Sequence, residues 1–229
     1  MANDIKDKIA IKSAEVLQKI RADSMLSRYV PTDKTPSIFM ETDNVRMIRL
    51  IVIGQDPTVK NEASREKIKT VLNLDKPRGS LYRYLSQICD GLGLDLRQNV
   101  YATNFAKNFF IQPPTQIEEC NLLNETSRYW LPLLQEELSL FPDQPIVTLG
   151  EPLLKVLLLD PKKALVRSYW GYTPDWVRVK PVFSLVSPEE NKIKRRLFPF
   201  PHQPSLRKKF YSTNLQSYLT YMRNNMTLG

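Results

Sequence analysis

Hydrophobic residues recur along the chain with two different spacings, which distinguish helices from strands. Apolar positions three and four residues apart between about residues 5 and 27 predict an amphipathic leading helix. Similar apolar faces predict further helices over residues 80–91, 115–140 and 206–222. Short, continuous apolar runs predict buried strands instead. These runs cover residues 49–53, 99–104, 145–150 and 197–200.

The order of these elements predicts the fold class. Strands alternate with helices, which favours a single α/β domain whose four-stranded, mainly parallel sheet is covered by helices on both faces. Prolines interrupt the last strand, so we expect that strand at an edge of the sheet. Residues 177–185 predict an extra strand or hairpin. We expect the α/β domain to cover residues 47–229 and a helical extension, residues 1–46, to pack on it.

Polar motifs follow three of the predicted strands. Residues 54–57 (Gly-Gln-Asp-Pro) follow the first strand, Asn104 ends the second, and residues 202–205 (His-Gln-Pro-Ser) follow the last. Ligands of open parallel sheets bind at the carboxyl ends of the strands. The amide of Asn104 offers a donor and an acceptor together, as reading a base edge requires. We therefore expect one active site built from both ends of the chain, with Asp56 and His202 as its ionisable groups.

Each motif also has a structural interpretation. Gly, Asp and Pro are common in turns, asparagines cap loops, and a lone histidine is commonly structural or merely exposed. His202 is the only histidine, and basic residues surround it. Nearby cations lower a histidine pKa, so we expect a neutral ring that donates to an anionic leaving group. The basic run is either a solvated loop or a surface for a phosphate backbone. It comprises Lys192, Lys194, Arg195, Arg196, Arg207, Lys208 and Lys209.

Composition narrows the partners and cofactors. The 33 Lys and Arg residues exceed the 24 Asp and Glu residues, and the resulting net charge of +9 favours a polyanionic partner. Cys89 and Cys120 form no CxxC pair and cannot supply the thiolates of an iron–sulfur cluster. One histidine also disfavours a zinc site, so we expect no metal and no cofactor. The charged N-terminus lacks an apolar signal, and no apolar run has membrane-spanning length. We expect a cytoplasmic chain with reduced thiols and no membrane contact.

Taken together, the strand-end motifs resemble the uracil-DNA glycosylase superfamily. The similarity covers about residues 47–209 and rests on the Gly-Gln-Asp-Pro motif, the strand ending in Asn104, a third strand ending at residues 148–150 (Thr-Leu-Gly) and the C-terminal histidine loop. The resemblance implies a monofunctional DNA glycosylase of base excision repair. Such an enzyme hydrolyses the N-glycosidic bond of uracil, or of a related deaminated base, flipped out of DNA. DNA is therefore the expected partner, and we expect a monomer.

The resemblance also implies a role for each matching residue. Asp56 orients the attacking water and stabilises positive charge on the sugar, whereas His202 donates to the oxygen of the departing base. The implied substrate-binding residues, among which Asn104 reads the pyrimidine edge, are Gly54, Gln55, Thr58, Leu72 and Asn104. The implied DNA-binding residues, among which Leu206 wedges into the gap left by the base, are Ser80, Ser205, Leu206, Arg207 and Lys208.

Three positions depart from the family pattern. The uracil-specific branch has a tyrosine after Gly-Gln-Asp-Pro, where this chain has Thr58. Leu72 replaces the aromatic residue that stacks on the base, and the histidine loop is His-Gln-Pro-Ser instead of His-Pro-Ser. These departures favour, as an alternative, a homologue that binds nucleic acid without cleaving it. An unrelated nucleotide-handling enzyme is a further alternative, but the chain has no Gly-rich phosphate loop.

Overall fold

A single parallel sheet forms the centre of the computed structural model, which describes residues 2–59 and 61–226. Its spatial order is β2-β1-β3-β4, and each neighbouring pair is parallel. The predicted fold class, a single α/β domain with a four-stranded sheet, is confirmed, and the sheet is wholly parallel. In chain order the strands are β1 (Leu50–Gly54), β2 (Val100–Asn104), β3 (Ile146–Leu149) and β4 (Leu197–Phe200).

All residues of these strands are buried, which explains why the strands are continuous apolar runs. In β1, Ile51 lies opposite Tyr101 of β2 and Ile146 of β3. The strand β4 lies at an edge of the sheet, as predicted, because Pro199 has no N–H to donate to a further strand. Since the strands run in the same direction, their carboxyl ends, which carry the polar motifs, meet at one edge.

Helices connect and cover the strands. No helix among the described residues has the length and apolar character needed to cross a membrane. In chain order the helices are α1 (Ala2–Ala22), α2 (Glu62–Arg65), α3 (Ser80–Leu92), α4 (Leu96–Asn99), α5 (Leu122–Ser139), α6 (Glu151–Leu157), α7 (Val166–Tyr169) and α8 (Lys209–Asn225).

Two helices begin later than the sequence predicts. The helix predicted from residue 115 begins at Leu122, because the Asn121 side chain accepts a hydrogen bond from the Asn124 N–H and caps it there. The closing helix, α8, follows a 3-10 turn over Gln203–Arg207 instead of starting within it. The residues that follow His202 therefore form a 3-10 turn, and the α-helical hydrogen-bond pattern begins only with α8.

Residues 177–185 form no strand, contrary to the prediction. Val177, Val179 and Val182 are 76%, 51% and 83% exposed. Their alternation with basic residues imitates a half-buried strand, but no described strand lies beside them to supply hydrogen bonds. Pairing begins only at Val186, which forms an antiparallel bridge with Leu197.

The N-terminal residues share one hydrophobic core with the rest of the chain. The helix α1 packs on α5 and buries Ile9, Leu17 and Ile20. Further along, Phe39 and Ala102 of β2 exchange two backbone hydrogen bonds of 2.9 and 2.8 Å. The segment before residue 46 therefore contacts both the helical layer and the β2 edge of the sheet.

Candidate active site

A cleft of about 910 Å³ opens at the carboxyl ends of the strands. Both predicted ionisable groups line it: Asp56, just after β1, and His202, just after β4. The start of α3 and the segment around Leu72 form another wall. Of the predicted site residues, the cleft brings together Gly54, Gln55, Asp56, Thr58, Leu72, Ser80, His202, Ser205 and Lys208.

The carboxylate of Asp56 is fixed by hydrogen bonds to both of its oxygens. The backbone N–H of Thr58 donates to Oδ1 at 2.8 Å, and Nε2 of Gln55 donates to Oδ2 at 2.7 Å. Burial nevertheless raises the pKa of Asp56 above its ordinary value of 3.8, because desolvation disfavours the charged form more than these bonds favour it. The result is a half-buried carboxylate with little rotational freedom in the wall of the cleft.

Thr58 ties the loop after β1 to the loop after β2. Its Oγ1 accepts a hydrogen bond of 2.8 Å from the Phe110 N–H. The buried guanidinium of Arg65 strengthens the same connection, because it donates to the carbonyl oxygens of Val59, at 2.8 Å, and of Ile111. Thr58 therefore positions Asp56 through its N–H and anchors its own loop through its hydroxyl.

His202 stands at the start of the 3-10 turn that precedes α8. Its carbonyl oxygen accepts a hydrogen bond of 2.8 Å from the Ser205 N–H, which fixes the backbone of the turn. The ring is exposed at the cleft, yet contact with the protein on its remaining surface lowers its pKa below 6.5 through desolvation. The direction matches the expected neutral ring, but the expected cause was wrong: burial, and not the neighbouring basic residues, produces the shift.

The side-chain amide of Asn104 is completely buried, and the residues that the structure describes offer it no hydrogen bond. Neither its Nδ2 nor its Oδ1 has a partner among the described residues. A Cβ atom at Gly54 would lie 2.3 Å from that Oδ1 and 2.6 Å from Cδ2 of Leu72, so only glycine fits at position 54. The same distances make Asn104 and Leu72 close neighbours. The cleft reaches Leu72 but does not include Asn104 among its walls.

Leu72 adopts a backbone conformation that side chains rarely take. Its φ and ψ angles are 56° and 14°, and the next residue, Asn73, has a φ of 54°. A left-handed conformation at a residue other than glycine costs roughly 1–3 kcal/mol and persists where the surroundings enforce it. Here two backbone hydrogen bonds hold the flanking residues. The Val71 N–H donates to the Ser37 carbonyl oxygen at 2.9 Å, and the Asn73 N–H donates to the Thr70 carbonyl oxygen at 3.0 Å.

A buried ion pair supports the end of β2. The Nζ of Lys107 lies 2.6 Å from Oε1 of Glu137, and both side chains are almost completely buried. Lys107 also donates to the Asn104 carbonyl oxygen at 2.9 Å and to Oγ1 of Thr103 at 2.7 Å. The hydroxyl of Tyr101 completes the group by donating to Oε2 of Glu137 at 2.7 Å. The backbone of Asn104 is thus anchored even though its side-chain amide is not.

Several cleft residues were not singled out from the sequence. Glu151 begins α6, separated from the end of β3 only by Gly150, and its carboxylate accepts a hydrogen bond of 3.2 Å from the Val166 N–H. Its position after a strand end is a signal that could have identified it. Arg167 and Tyr211 also line the cleft. They come from a short helix and from the closing helix, where no local motif marks them.

The predicted DNA-binding residues divide between two neighbouring depressions. Ser80, Ser205 and Lys208 line the cleft, whereas Leu206 and Arg207 line a smaller groove that Ser80 also borders. Ser80 is the first residue of α3. Gly79 occupies the capping position and has no side chain to donate or accept.

Metal-binding groups and reactive thiols are the other chemistry to consider in the described part of the chain. Among the residues that the structure describes, no group of three or more His, Cys, Asp and Glu side chains could hold a metal ion. Cys89 and Cys120 are unpaired thiols, and burial raises the pKa of Cys89 to about 12, which makes that thiol unreactive. The candidate chemistry of the cleft therefore lies in its carboxylates, its imidazole and its amides.

No family model matches the chain, and no curated protein matches it.

Proposed function

We propose that the protein is a monofunctional DNA glycosylase that hydrolyses the N-glycosidic bond of uracil, or of a related deaminated base, in DNA. The observation that carries the proposal is that Asp56 and His202, from opposite ends of the chain, line one cleft. Its volume of about 910 Å³ exceeds that of a nucleobase and lies within the range of small-molecule sites, roughly 300–1,000 Å³.

The two groups suit the charges that develop during this reaction. Breaking the N-glycosidic bond leaves positive charge on the sugar and negative charge on the base. The Asp56 carboxylate faces the positive charge, orients the water whose oxygen bonds to the sugar, and accepts the proton that this water loses. The neutral His202 ring donates a hydrogen bond to the base as the base departs with the bonding electrons. Preorganised groups of this kind are usually the largest catalytic contribution.

The unpartnered amide of Asn104 supports recognition of a base edge. A pyrimidine edge presents an acceptor beside a donor, which would satisfy both the Nδ2 and the Oδ1 that the described residues leave without partners. A base reaches this amide only after Leu72 moves aside. The left-handed conformation of Leu72 favours such a movement, since leaving it releases backbone strain.

Oligonucleotides test the proposed activity. Strands that carry uracil, hypoxanthine, xanthine or a thymine mismatch are incubated with the protein, and abasic sites are revealed by alkaline cleavage. We expect uracil release, and we expect Asp56→Asn and His202→Ala each to slow it by at least about tenfold, which corresponds to roughly 1.4 kcal/mol of barrier. Asp43→Asn, an exposed aspartate outside the cleft, serves as the matched control. Rates equal to wild type in either cleft variant would contradict the assignment.

A binding protein without glycosylase activity is the second candidate. It is favoured by the position of Leu72, whose side chain lies beside Asn104 where a base would have to enter. In that case the same oligonucleotides bind, but no abasic site forms from any of the tested bases. The Asp56→Asn variant would then bind as tightly as wild type, because no chemical step depends on the carboxylate.

A further inference from the structure

Two exposed side chains continue one wall of the cleft onto the protein surface. Arg167 lines the cleft, and its guanidinium carbon lies 5.7 Å from the centre of the Tyr172 ring. We call these two residues the Arg–Tyr shelf. The Tyr172 N–H donates to the Arg167 carbonyl oxygen at 3.0 Å, so the backbones of the two residues are fixed relative to each other.

The closing helix supports the shelf. Phe210, the second residue of α8, packs against Tyr172 in a T-shaped arrangement with ring centres 5.0 Å apart. Trp176 packs on the same phenylalanine at 5.4 Å and extends the aromatic surface. Tyr172 nevertheless remains 39% exposed. Its ring is therefore held in place by its neighbours while part of its surface stays open to a ligand.

The positive charges of this surface are unpaired within the part of the chain that the structure describes. Arg167 is exposed, and its guanidinium makes no hydrogen bond or ion pair there. The side chains of Arg178 and Lys180, further along the same segment, are exposed and equally unpaired. Asp175 is the one carboxylate in the sequence of residues 167–182, so cations outnumber it. The surface is thus both aromatic and positively charged.

An exposed ring beside unpaired cations suits an unpaired nucleic-acid strand. Bases within a duplex stack on one another and present only their edges, whereas an unpaired base offers its face to an aromatic ring or a guanidinium plane. Cations along the same surface bind the phosphates of a strand whatever its sequence. Because the shelf adjoins the cleft through Arg167, a strand whose flipped base enters the cleft can place a neighbouring base on the shelf.

We propose that the Arg–Tyr shelf stacks an unpaired base next to the flipped nucleotide, so that the protein binds single-stranded DNA in preference to duplex. The inference rests on the proposed function, which places the flipped base in the cleft. The base stacks on the guanidinium plane of Arg167, and the Tyr172 ring supports that plane from the other side. Arg178 and Lys180 bind the phosphates that follow.

The dissociation constants of a single strand and of the corresponding duplex test the shelf. The strand carries one fluorinated deoxyuridine, whose sugar fluorine disfavours positive charge and so prevents cleavage. Arg167→Lys keeps the charge but loses the plane, and Tyr172→Ala removes the support. We expect each to raise Kd for the single strand by about fivefold or more, as loss of one stacked base does, and to change Kd for the duplex by less than about twofold.

Two further variants are controls. Tyr172→Phe keeps the ring and should bind the single strand as wild type does. Arg28→Lys is the matched substitution elsewhere, because Arg28 is exposed, lies 4.7 Å from the centre of the Tyr29 ring and lines neither the cleft nor the smaller groove. Thermal unfolding of each variant verifies that the fold is intact.

The outcomes separate this inference from the proposed function. If Arg167→Lys and Tyr172→Ala bind the single strand as tightly as Arg28→Lys does, the shelf is overturned, whatever the cleavage assay shows. Equal losses for single strand and duplex, or no binding of the single strand by wild type, would overturn it as well. A loss confined to the single strand supports the shelf, even where wild type releases no base from a uracil strand and the glycosylase proposal fails.

Discussion

At the scale of single residues, burial displaces the pKa values of both ionisable groups in the cleft toward each other. Desolvation raises the pKa of Asp56 from 3.8 and lowers that of His202 from 6.5. In each case the charged form is disfavoured, because the protein replaces water that would solvate it. Hydrogen bonds from Thr58 and Gln55 partly oppose the shift at Asp56. The lowered pKa of His202 keeps its imidazole neutral near neutral pH, as the proposed reaction requires.

These shifts predict the pH dependence of base release. Protonation removes the charge of Asp56, and protonation of His202 places a cation close to a positively charged sugar, so both events slow the reaction. We expect kcat/KM to fall through two protonations as the pH is lowered, with His202 taking up its proton below 6.5 and Asp56 taking up its proton above 3.8. In His202→Gln the residual activity should fall through one protonation only. The pH profile of uracil release measures both slopes, and equal slopes for the two proteins would contradict the assigned roles.

The buried pair of Lys107 and Glu137 predicts a large effect of a single substitution. Lys107→Met leaves the Glu137 carboxylate buried without its cation, and breaking such a pair typically lowers the free energy of unfolding by about 3–5 kcal/mol. Adding Glu137→Gln removes the unpaired charge while keeping an acceptor for the Tyr101 hydroxyl. We expect the double variant to recover most of the loss in urea unfolding. A double variant as unstable as Lys107→Met alone would show that the charge is not the cause.

At the scale of elements, the segment of residues 70–74 decides access to Asn104. It crosses the cleft wall as a 3-10 turn with two successive residues in the left-handed region. Backbone hydrogen bonds on both sides enforce this path, and the path directs the Leu72 side chain against Gly54 and beside the buried amide. A short strained turn, and not a long loop, therefore separates the cleft from the group that could read a base.

Leu72→Gly tests this arrangement. Glycine adopts a positive φ without penalty, so the turn keeps its path while the side chain beside Asn104 disappears. We expect kcat/KM for uracil release to rise by about tenfold, because the base reaches the uncovered amide. This increase corresponds to a barrier lower by roughly 1.4 kcal/mol. Leu165→Gly is the control, because Leu165 also lines the cleft but has an ordinary φ of −105°. A similar rise in both variants would mean that the size of the side chains lining the cleft, and not access to Asn104, limits the reaction.

In the molecule as a whole, α1, α8 and the sheet share one core. The helix α1 packs on α5, and α8 packs on α3. The residues around His202 are followed immediately by α8, so packing of that helix fixes where the histidine loop lies relative to Asp56. The stability of the helical layers and the geometry of the cleft are therefore linked.

Two isoleucines of α1 test whether the N-terminal segment is part of the domain. Ile20 is completely buried, whereas Ile11, on the same helix, is 62% exposed. We expect Ile20→Ala to lower the free energy of unfolding by about 2–5 kcal/mol and Ile11→Ala to change it by less than about 0.5 kcal/mol. A single urea transition is expected in both variants. A separate early transition for Ile20→Ala would instead indicate that the N-terminal segment unfolds on its own.

Sequence patterns anticipated the framework of the site better than its details. The strands that precede Asp56 and His202 were predicted because short, continuous apolar runs are typical of buried parallel strands. The exposed valines of residues 177–185 show the limit of the same reasoning, since they alternate with basic residues as in a strand, yet no described strand pairs with them. The pKa of His202 is lowered, as the sequence predicts, but by desolvation instead of by nearby basic residues. The burial of this side chain depends on how the histidine loop packs, which local sequence does not specify.

The order of strands and helices, and the polar residues at the strand ends, were predictable from the amino-acid sequence. Both follow from local periodicity and from the rule that parallel strands bring their carboxyl ends to one edge. Only folding brings Leu72 against Asn104, Lys107 to Glu137, and Arg83 into the same groove as Arg207. These are contacts between residues far apart in the chain, and they depend on how whole elements pack, which no local pattern specifies.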